Sequence, residues 1–296
     1  MATNTIAGAN LAAIAEETLP HLTTCFAALA GVHTDLSDNI SSAGESVTTR
    51  VPTKAAAIDL SSGYTSQNTA LTAKTVTLNT FYGQVVGFKD AERSKSVVDL
   101  SDQFIPVIID SLGDKVFGDI WNLVLNANFS TNTVITAANF DRDDVVDLGA
   151  SLTSTLKAPK EGRTIWSNPT YYGSLLKTLN SAEMPGVSEN KAEGTVPRSN
   201  KFDIYETDLA DANSENLAAF AFHRSSILFA ARGVDTAGDA SQAAGVEIEN
   251  VTVPGLEIPV QFRRWYDPNA GELKISVGLL YGVAVGNDMG HRVLTA

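Results

Sequence analysis

The sequence predicts an α+β fold in which strand-rich stretches flank one long helix, and three observations carry this. Apolar side chains at Val97, Leu100, Phe104, Ile108, Leu112, Val116, Ile120 and Leu123 recur every three or four residues, the period of one helix face. Residues 47–88 and again 246–285 are rich in Thr and Val and alternate apolar with polar positions, the period of a strand. Between these, residues 135–232 alternate helical and strand patterns, which marks an α/β module with its own core.

A chain of 296 residues can bury a large core, in one big domain or two. With 44% hydrophobic and 19% charged residues the composition is that of a soluble protein. Its apolar runs fall short of the roughly 18 residues a membrane span needs. A net charge of −13 argues against binding nucleic acid by neutralising phosphates. Cys25 is the only cysteine, which excludes an intrachain disulfide and a thiolate metal cluster. The first basic residue is Arg50, so the N-terminal stretch lacks the positive region of a secretory signal, and folding in a cytoplasm is expected.

Along residues 1–46, Leu11, Ile14, Thr18, Leu22, Phe26 and Leu29 have helical spacing, interrupted by Pro20. Five acidic residues (Glu16, Glu17, Asp35, Asp38 and Glu45) stand against no base. A short amphipathic helix followed by polar chain makes a poor start to a core and a good arm, laying its apolar face on another surface. Residues 47–88 then read as a long two-stranded hairpin whose tip is the Ala-, Ser- and Thr-rich stretch of about 20 residues before Lys74. An isolated hairpin is marginally stable in water, so it should rest on another surface, that of a second subunit included. Residues 89–95 form a charged hinge, whose simplest reading is a solvated turn.

The long helix, read over about 28 residues, would span roughly 42 Å. Asp99, Ser101 and Asp102 supply its capping candidates, and Pro106 either sits in its first turn or kinks its first third. Residues 128–140 read as a polar linker. A second amphipathic helix follows over 141–156, with Val145, Leu148, Leu152 and Leu156 on one face. Its opening Asp141-Arg142-Asp143-Asp144 lacks the glycine and distal glutamate of a calcium loop, so N-capping is the expected role. Thr164-Ile165-Trp166 predicts a short buried strand, and Asn168-Pro169 an N-cap and first helical residue. Residues 181–201 read as an exposed loop, and 202–205 and 217–230 as further strands. The C-terminal part is β again, with a turn at Asp267-Pro268-Asn269-Ala270-Gly271 and with Pro259 indicating an edge or bulge.

The four histidines, His21, His33, His223 and His291, are scattered outside metal-ligand spacing, and no nucleophile elbow, phosphate loop or dinucleotide turn occurs. His223 with Arg224 and Ser225 sits beside an apolar run, which favours a structural histidine. Trp265 beside Arg263 and Arg264 could stack on nucleic acid. In an acidic protein, aromatic packing and inter-subunit ion pairs are the preferred reading. Neither an enzyme nor a bound cofactor or metal is expected. Asn39, Asn128 and Asn250 begin glycosylation sequons that carry no meaning without export.

The order of these parts resembles the major capsid proteins of tailed double-stranded DNA bacteriophages, the Hong Kong 97-type fold. The local phrases that match are Val76-Thr77-Leu78-Asn79 and Val86-Gly87-Phe88 before the long helix, and Gly162-Arg163-Thr164-Ile165-Trp166-Ser167-Asn168-Pro169 after the second. Further on come Ala221-Phe222-His223-Arg224-Ser225, Pro254-Gly255-Leu256, Tyr266-Asp267 and Leu280-Tyr281-Gly282-Val283-Ala284-Val285. The resemblance covers nearly the whole chain. It implies an N-terminal arm (1–46), an extended hairpin loop (47–92), a peripheral domain on the spine helix (93–134 with returning strands 233–296) and an axial domain (135–232). It also implies self-assembly into hexamers and pentamers of an icosahedral head that encloses DNA without sequence-specific binding. The chain would be a virion component assembled in the host cytoplasm, with no membrane involved.

Candidates for inter-subunit contact are Leu11, Ile14, Leu22 and Phe26 in the arm; Arg50, Lys54 and Lys74 in the hairpin; Glu92 and Arg93 in the hinge; and Arg263 and Arg264 near the C-terminus. Two departures bear on partners. There is no long N-terminal extension of the kind some relatives remove, so a separate scaffolding protein, besides a portal, is expected. Nor do Lys54 and Lys74 by themselves establish the covalent Lys–Asn cross-link of one branch. Two other readings stay open: a bacterial nanocompartment shell with the same fold, and a secreted β-rich adhesin, which leaves the long helix unexplained.

Overall fold

The computed structural model describes residues 18–32, 34, 46–52, 59, 61, 63–64, 71–93, 100–179, 193–208, 213–234 and 245–296. The fold is α+β, with mixed sheets packed on helices. In chain order the elements are α1 (Leu19–Cys25), β1 (Ser46–Pro52), β2 (Leu71–Thr77), β3 (Thr80–Lys89), α2 (Asp90–Arg93), α3 (Leu100–Trp121), β4 (Asn132–Val134), α4 (Arg142–Ser154), β5 (Arg163–Ser167) and α5 (Pro169–Thr178). They continue with β6 (Phe202–Glu206), β7 (Leu217–His223), β8 (Ile227–Arg232), β9 (Glu247–Val253), β10 (Ile258–Asp267), β11 (Glu272–Val285) and β12 (Gly290–Leu294). Among the described residues no helix is long and apolar enough to cross a membrane.

Helix α3 is the spine. Its 22 residues carry Pro106 inside the helix, so the proline lies in the first third rather than at the start. The buried stripe is Ile105, Ile108, Ile109, Leu112, Val116, Ile120 and Trp121. Phe104, expected on that stripe, sits at its margin, 42% exposed, with its ring edge on Phe88 at 5.5 Å. The C-terminal end is capped from a distance: Asn213 Nδ2 donates to the carbonyls of Trp121 and Val124 at 3.2 and 2.9 Å, supplying partners that the last turn lacks.

Two five-stranded sheets are built around the spine. In sheet 1 the order is β3-β11-β10-β9, with β8 also paired to β11, and every pairing is antiparallel. Its inner face, with Phe88, Val260, Phe262, Ile275, Val277, Leu279 and Tyr281, shares one core with the spine. Sheet 2 has the order β4-β12-β7-β5-β6, with β4–β12 and β5–β6 parallel. One face carries Trp166, Phe220 and Phe222 into the spine core, and the other meets α4 and α5 through Ile165, Ala219, Ala221 and Val293. Being covered on both faces, β7 is a continuous apolar run, as expected of a central strand.

The local chemistry of sheet 2's helices follows the residues. Asp141 accepts from the backbone N–H of Asp143 and Asp144 at 2.9 and 3.2 Å, while Asp144 accepts from Asp141 N, a reciprocal capping box. Asn168 accepts from Tyr171 N at 3.0 Å with Pro169 at the first helical position. Arg163, 3% exposed, donates to the carbonyls of Pro159, Gly149 and Ala158 and to the Thr153 hydroxyl, so the buried guanidinium has a partner at each nitrogen.

Sheet membership runs across the sequence-based division at four places. Strand β3, placed in the hairpin loop 47–92, is an edge of sheet 1, because Val86 and Phe88 bury against the spine. Strand β4, placed with 93–134 and read as linker, is the edge of sheet 2. Strand β8, placed in 135–232, pairs with β11 of sheet 1. Strand β12, placed in 233–296, lies between β4 and β7 and satisfies the backbone groups of β7 that would otherwise be buried unpaired.

Besides the passage from β3 through the spine to β4, the chain crosses between the sheets twice, at one seam. The link from β7 to β8 is the tight turn Arg224–Ser226, and the link from β11 to β12 runs beside it. The N–H groups of Gly286 and Asn287 donate to the carbonyls of Ser226 and Ser225 at 2.8 and 2.9 Å. A Cβ on Gly286 would lie 2.1 Å from the Ser225 carbonyl oxygen, so glycine is what lets the crossings touch. Pro259 fits its place too: it pairs only with Thr252 of β9, beyond the point where β11 begins to pair at Gln261.

Candidate assembly surface

Strands β1 and β2 form a ribbon of their own, paired in register from Ser46↔Thr77 to Pro52↔Leu71. A two-stranded ribbon needs a support. Val47, Val76 and Leu78 provide it by packing on Leu228 and Ala230 of β8. The approach is backbone to backbone, since a Cβ on Gly282 of β11 would sit 2.1 Å from the Thr77 carbonyl oxygen. On the other face Thr48 and Thr75 are exposed and share a hydroxyl contact of 3.0 Å.

The outer face of sheet 1 carries a groove of about 450 Å³. Its floor is made of the small residues Gly83, Gly278 and Ser276, and its walls are Phe81 and Val85 on one side and Arg263 and Trp265 on the other. Phe81 and Val85 are 55% and 56% exposed, where strand alternation leaves them facing away from the spine. Arg263 is held in place because its Nε donates to Gln261 Oε1 at 2.7 Å, and Gln261 in turn donates to the Val234 carbonyl and Asn250 Oδ1. The inner face is anchored opposite. Tyr281 donates to Asp119 Oδ2 at 2.5 Å, Lys115 donates to Asp119 Oδ1 at 2.5 Å, and the same ammonium lies 4.7 Å over the Tyr82 ring. Burial first, and Asp119 second, push the Tyr281 phenol well above its ordinary value.

No family model matches the chain, and no curated protein matches it in sequence. Solved structures do. A structure from Mycobacterium phage Che8 superposes with a TM-score of 0.60 at 16% identity, covering 89% of each chain. The capsid of Cyanophage P-SCSP1u matches with a TM-score of 0.57 at 12% identity, over 90% of this chain and 86% of that one. The chain has the phage-capsid fold. The virus-like particle from Pyrococcus furiosus also matches, with a TM-score of 0.51 at 11% identity over 95% of this chain and 98% of that one.

Within this capsid fold the candidate contact residues are placed as follows. Leu11, Ile14 and Lys54 lie outside the described residues. Leu22 and Phe26 are 0% exposed and belong to the spine core, which corrects the expectation that they reach a neighbour. Helix α1 lies against α3, where a Cβ on Gly113 would stand 2.2 Å from Cys25 Sγ, and full burial of the two side chains is worth about 2–3 kcal/mol each. The missing signal was Gly113, which opens a slot in the spine for the arm's own helix. Arg50 and Lys74 are on the ribbon, opposite Ala73 and Thr49. Glu92 and Arg93 are in α2. Arg264 faces Glu247 within the chain, Nε to Oε2 3.9 Å, whereas Arg263 lines the groove.

Sequence reasoning passed over Phe81 and Val85, although two apolar residues four apart on a strand, with Gly83 midway between them, lie on one face. His223 is a local cap: its Nδ1 accepts from Ser225 N at 3.3 Å and lies 2.8 Å from the Ser225 hydroxyl. That arrangement leaves the serine bound within its own turn, where Asn287 Nδ2 also donates to its hydroxyl.

Proposed function

We propose that this chain is the major capsid protein of a tailed phage, the repeating subunit of hexameric and pentameric capsomers in an icosahedral head enclosing double-stranded DNA. The observation that supports this best is a subunit with the capsid fold in which one face of the ribbon and the groove on sheet 1 are left uncovered by the described residues. Adjacent copies would cover both. Arg50 and Lys74 on the ribbon, Glu92 and Arg93 in α2 and Arg263 in the groove are the contacts through which they would meet, joined by Leu11, Ile14 and Lys54, which lie outside the described residues. Many modest contacts closed around a shell give a durable assembly through multivalency. In this reading residues 1–46, 47–92, 93–134 with 233–296, and 135–232 serve as arm, extended loop, peripheral and axial parts, except for the strands exchanged between sheets.

The charge of −13 suits a wall that DNA is driven past, because it offers phosphates little to bind. A separate scaffolding protein and a portal would act in assembly in the host cytoplasm. The test is negative-stain microscopy of the purified chain, with and without the scaffold co-expressed. Discrete closed shells are expected, and a monomer in both samples overturns the proposal. The Pyrococcus furiosus particle favours a second reading, a nanocompartment shell. That reading expects shells that close without any scaffold and enclose protein.

A further inference from the structure

We propose that His291 is an acid-operated latch: when its imidazole takes a proton, strand β4 comes off sheet 2 and the connection between the spine and α4 is loosened. The inference is independent of what the chain assembles into. His291 lies on β12, 5% exposed, with Nε2 2.7 Å from Thr133 Oγ1 on β4 and Nδ1 2.8 Å from Ser151 Oγ on α4. One ring therefore ties three elements separated by 158 and 140 positions in sequence. Strand β4 is weakly held otherwise. It is three exposed residues long and an edge, and among the described residues it pairs only with β12, with flanking bonds from Arg292 N to the Thr131 carbonyl and from Ile135 N to the Leu294 carbonyl.

A neutral imidazole presents one donor and one acceptor, and two rotating hydroxyls supply one of each. An imidazolium presents two donors in the same space. The hydroxyl that was donating must then turn round, and a charge is left in a site built for a neutral ring. The groups around it do not answer that charge. On β12 the neighbour is Arg292, a cation on the opposite face held by Glu215. Strand β4 offers Asn132, Thr133 and Val134, and β7 offers Ala219 and Ala221, with His223 farther along bound to Ser225. On α4, Asp147 lies one turn before Ser151 but is exposed, Asp144 is taken up by the capping box, and Arg142 and Asp143 are at the far end. Burial, reinforced by Arg292, holds the His291 imidazole down at about 4 against an ordinary 6.5.

The sign follows from linkage. The latched state binds the proton less well than the opened one, so closure is at full strength above pH 6.5 and weakens as pH falls toward 4. At pH 5 the opened population should be about thirtyfold larger than at pH 8. The experiment is amide hydrogen exchange of the full chain, corrected for intrinsic rates, in peptides covering residues 129–140. The wild type should open by that factor while the spine stays protected, and H291Q, which keeps a donor and an acceptor but cannot titrate, should stay flat. Identical profiles for the two, or a wild type that does not change, overturn the latch. Should H291Q fail to fold, nuclear magnetic resonance titration of the His291 ring in the wild type decides: a value below 5 supports the proposal and one near 6.5 overturns it.

Discussion

The hydroxyl of Tyr281, on β11, donates to the carboxylate of Asp119, on α3, and this bond ties sheet 1 to the spine at the edge of their shared apolar core. Tyr281 is fully buried, and Asp119 also holds Lys115. A bond from a buried hydroxyl to a charged acceptor is worth about 1.5–3 kcal/mol. Tyr281→Phe is expected to lose that much in urea denaturation, with an unchanged slope. Because the folded phenol titrates above its unfolded value near 10, its contribution is complete below pH 10 and is lost as pH rises beyond it. Stability measured from pH 8 to 11 should therefore fall more steeply for the wild type than for Tyr281→Phe.

Gly282→Ala tests the seat of the ribbon. The added methyl would meet the Thr77 carbonyl at 2.1 Å, and a backbone atom cannot swing aside as a side chain does. The ribbon must lift, at a cost of about 1–3 kcal/mol. Hydrogen exchange should rise in residues 46–52 and 71–77 and remain unchanged in sheet 2.

Val85→Lys tests the groove. The side chain is 56% exposed, so the subunit should keep its stability to within about 0.5 kcal/mol. Shell formation should be lost, as read by microscopy and sedimentation. Normal shells from this variant would remove the groove from the assembly surface.

Glu215→Ala tests the joint beyond the spine. Arg292, 2% exposed, donates to Glu215, to Asn126 Oδ1 at 2.7 Å and to the Phe129 carbonyl at 2.7 Å. Removing the carboxylate strands a buried cation, which costs about 3–5 kcal/mol. The double variant Glu215→Ala with Arg292→Met should recover most of that loss in thermal unfolding.

Much of the architecture is legible in local pattern. The spine's period, the capping box at Asp141, the Asn168-Pro169 helix start and the apolar run of β7 each depend on neighbours a few residues away, and the structure contains each of them. The candidate assembly surface is legible only in part. Arg263 lines the groove, whereas Leu22 and Phe26, whose apolar spacing pointed outward to a neighbour, bury against their own spine. Periodicity says that a face is apolar and is silent on which surface covers it.

By itself the sequence determined the longer helices and strands, since backbone propensity, capping and alternation act over a handful of residues, while the short β4, α2 and β12 were not legible in it. It also set the acidic balance. Tertiary structure alone decided which sheet each strand joins, because β4 is exposed throughout, β8 and β12 are buried almost throughout, and neither pattern names a partner. Their allocation rests on contacts between residues far apart in the chain, such as Gly286 against Ser225 and His291 against Thr133. Those pairings form where backbone groups must be satisfied inside a shared core, and no short stretch of sequence records that need.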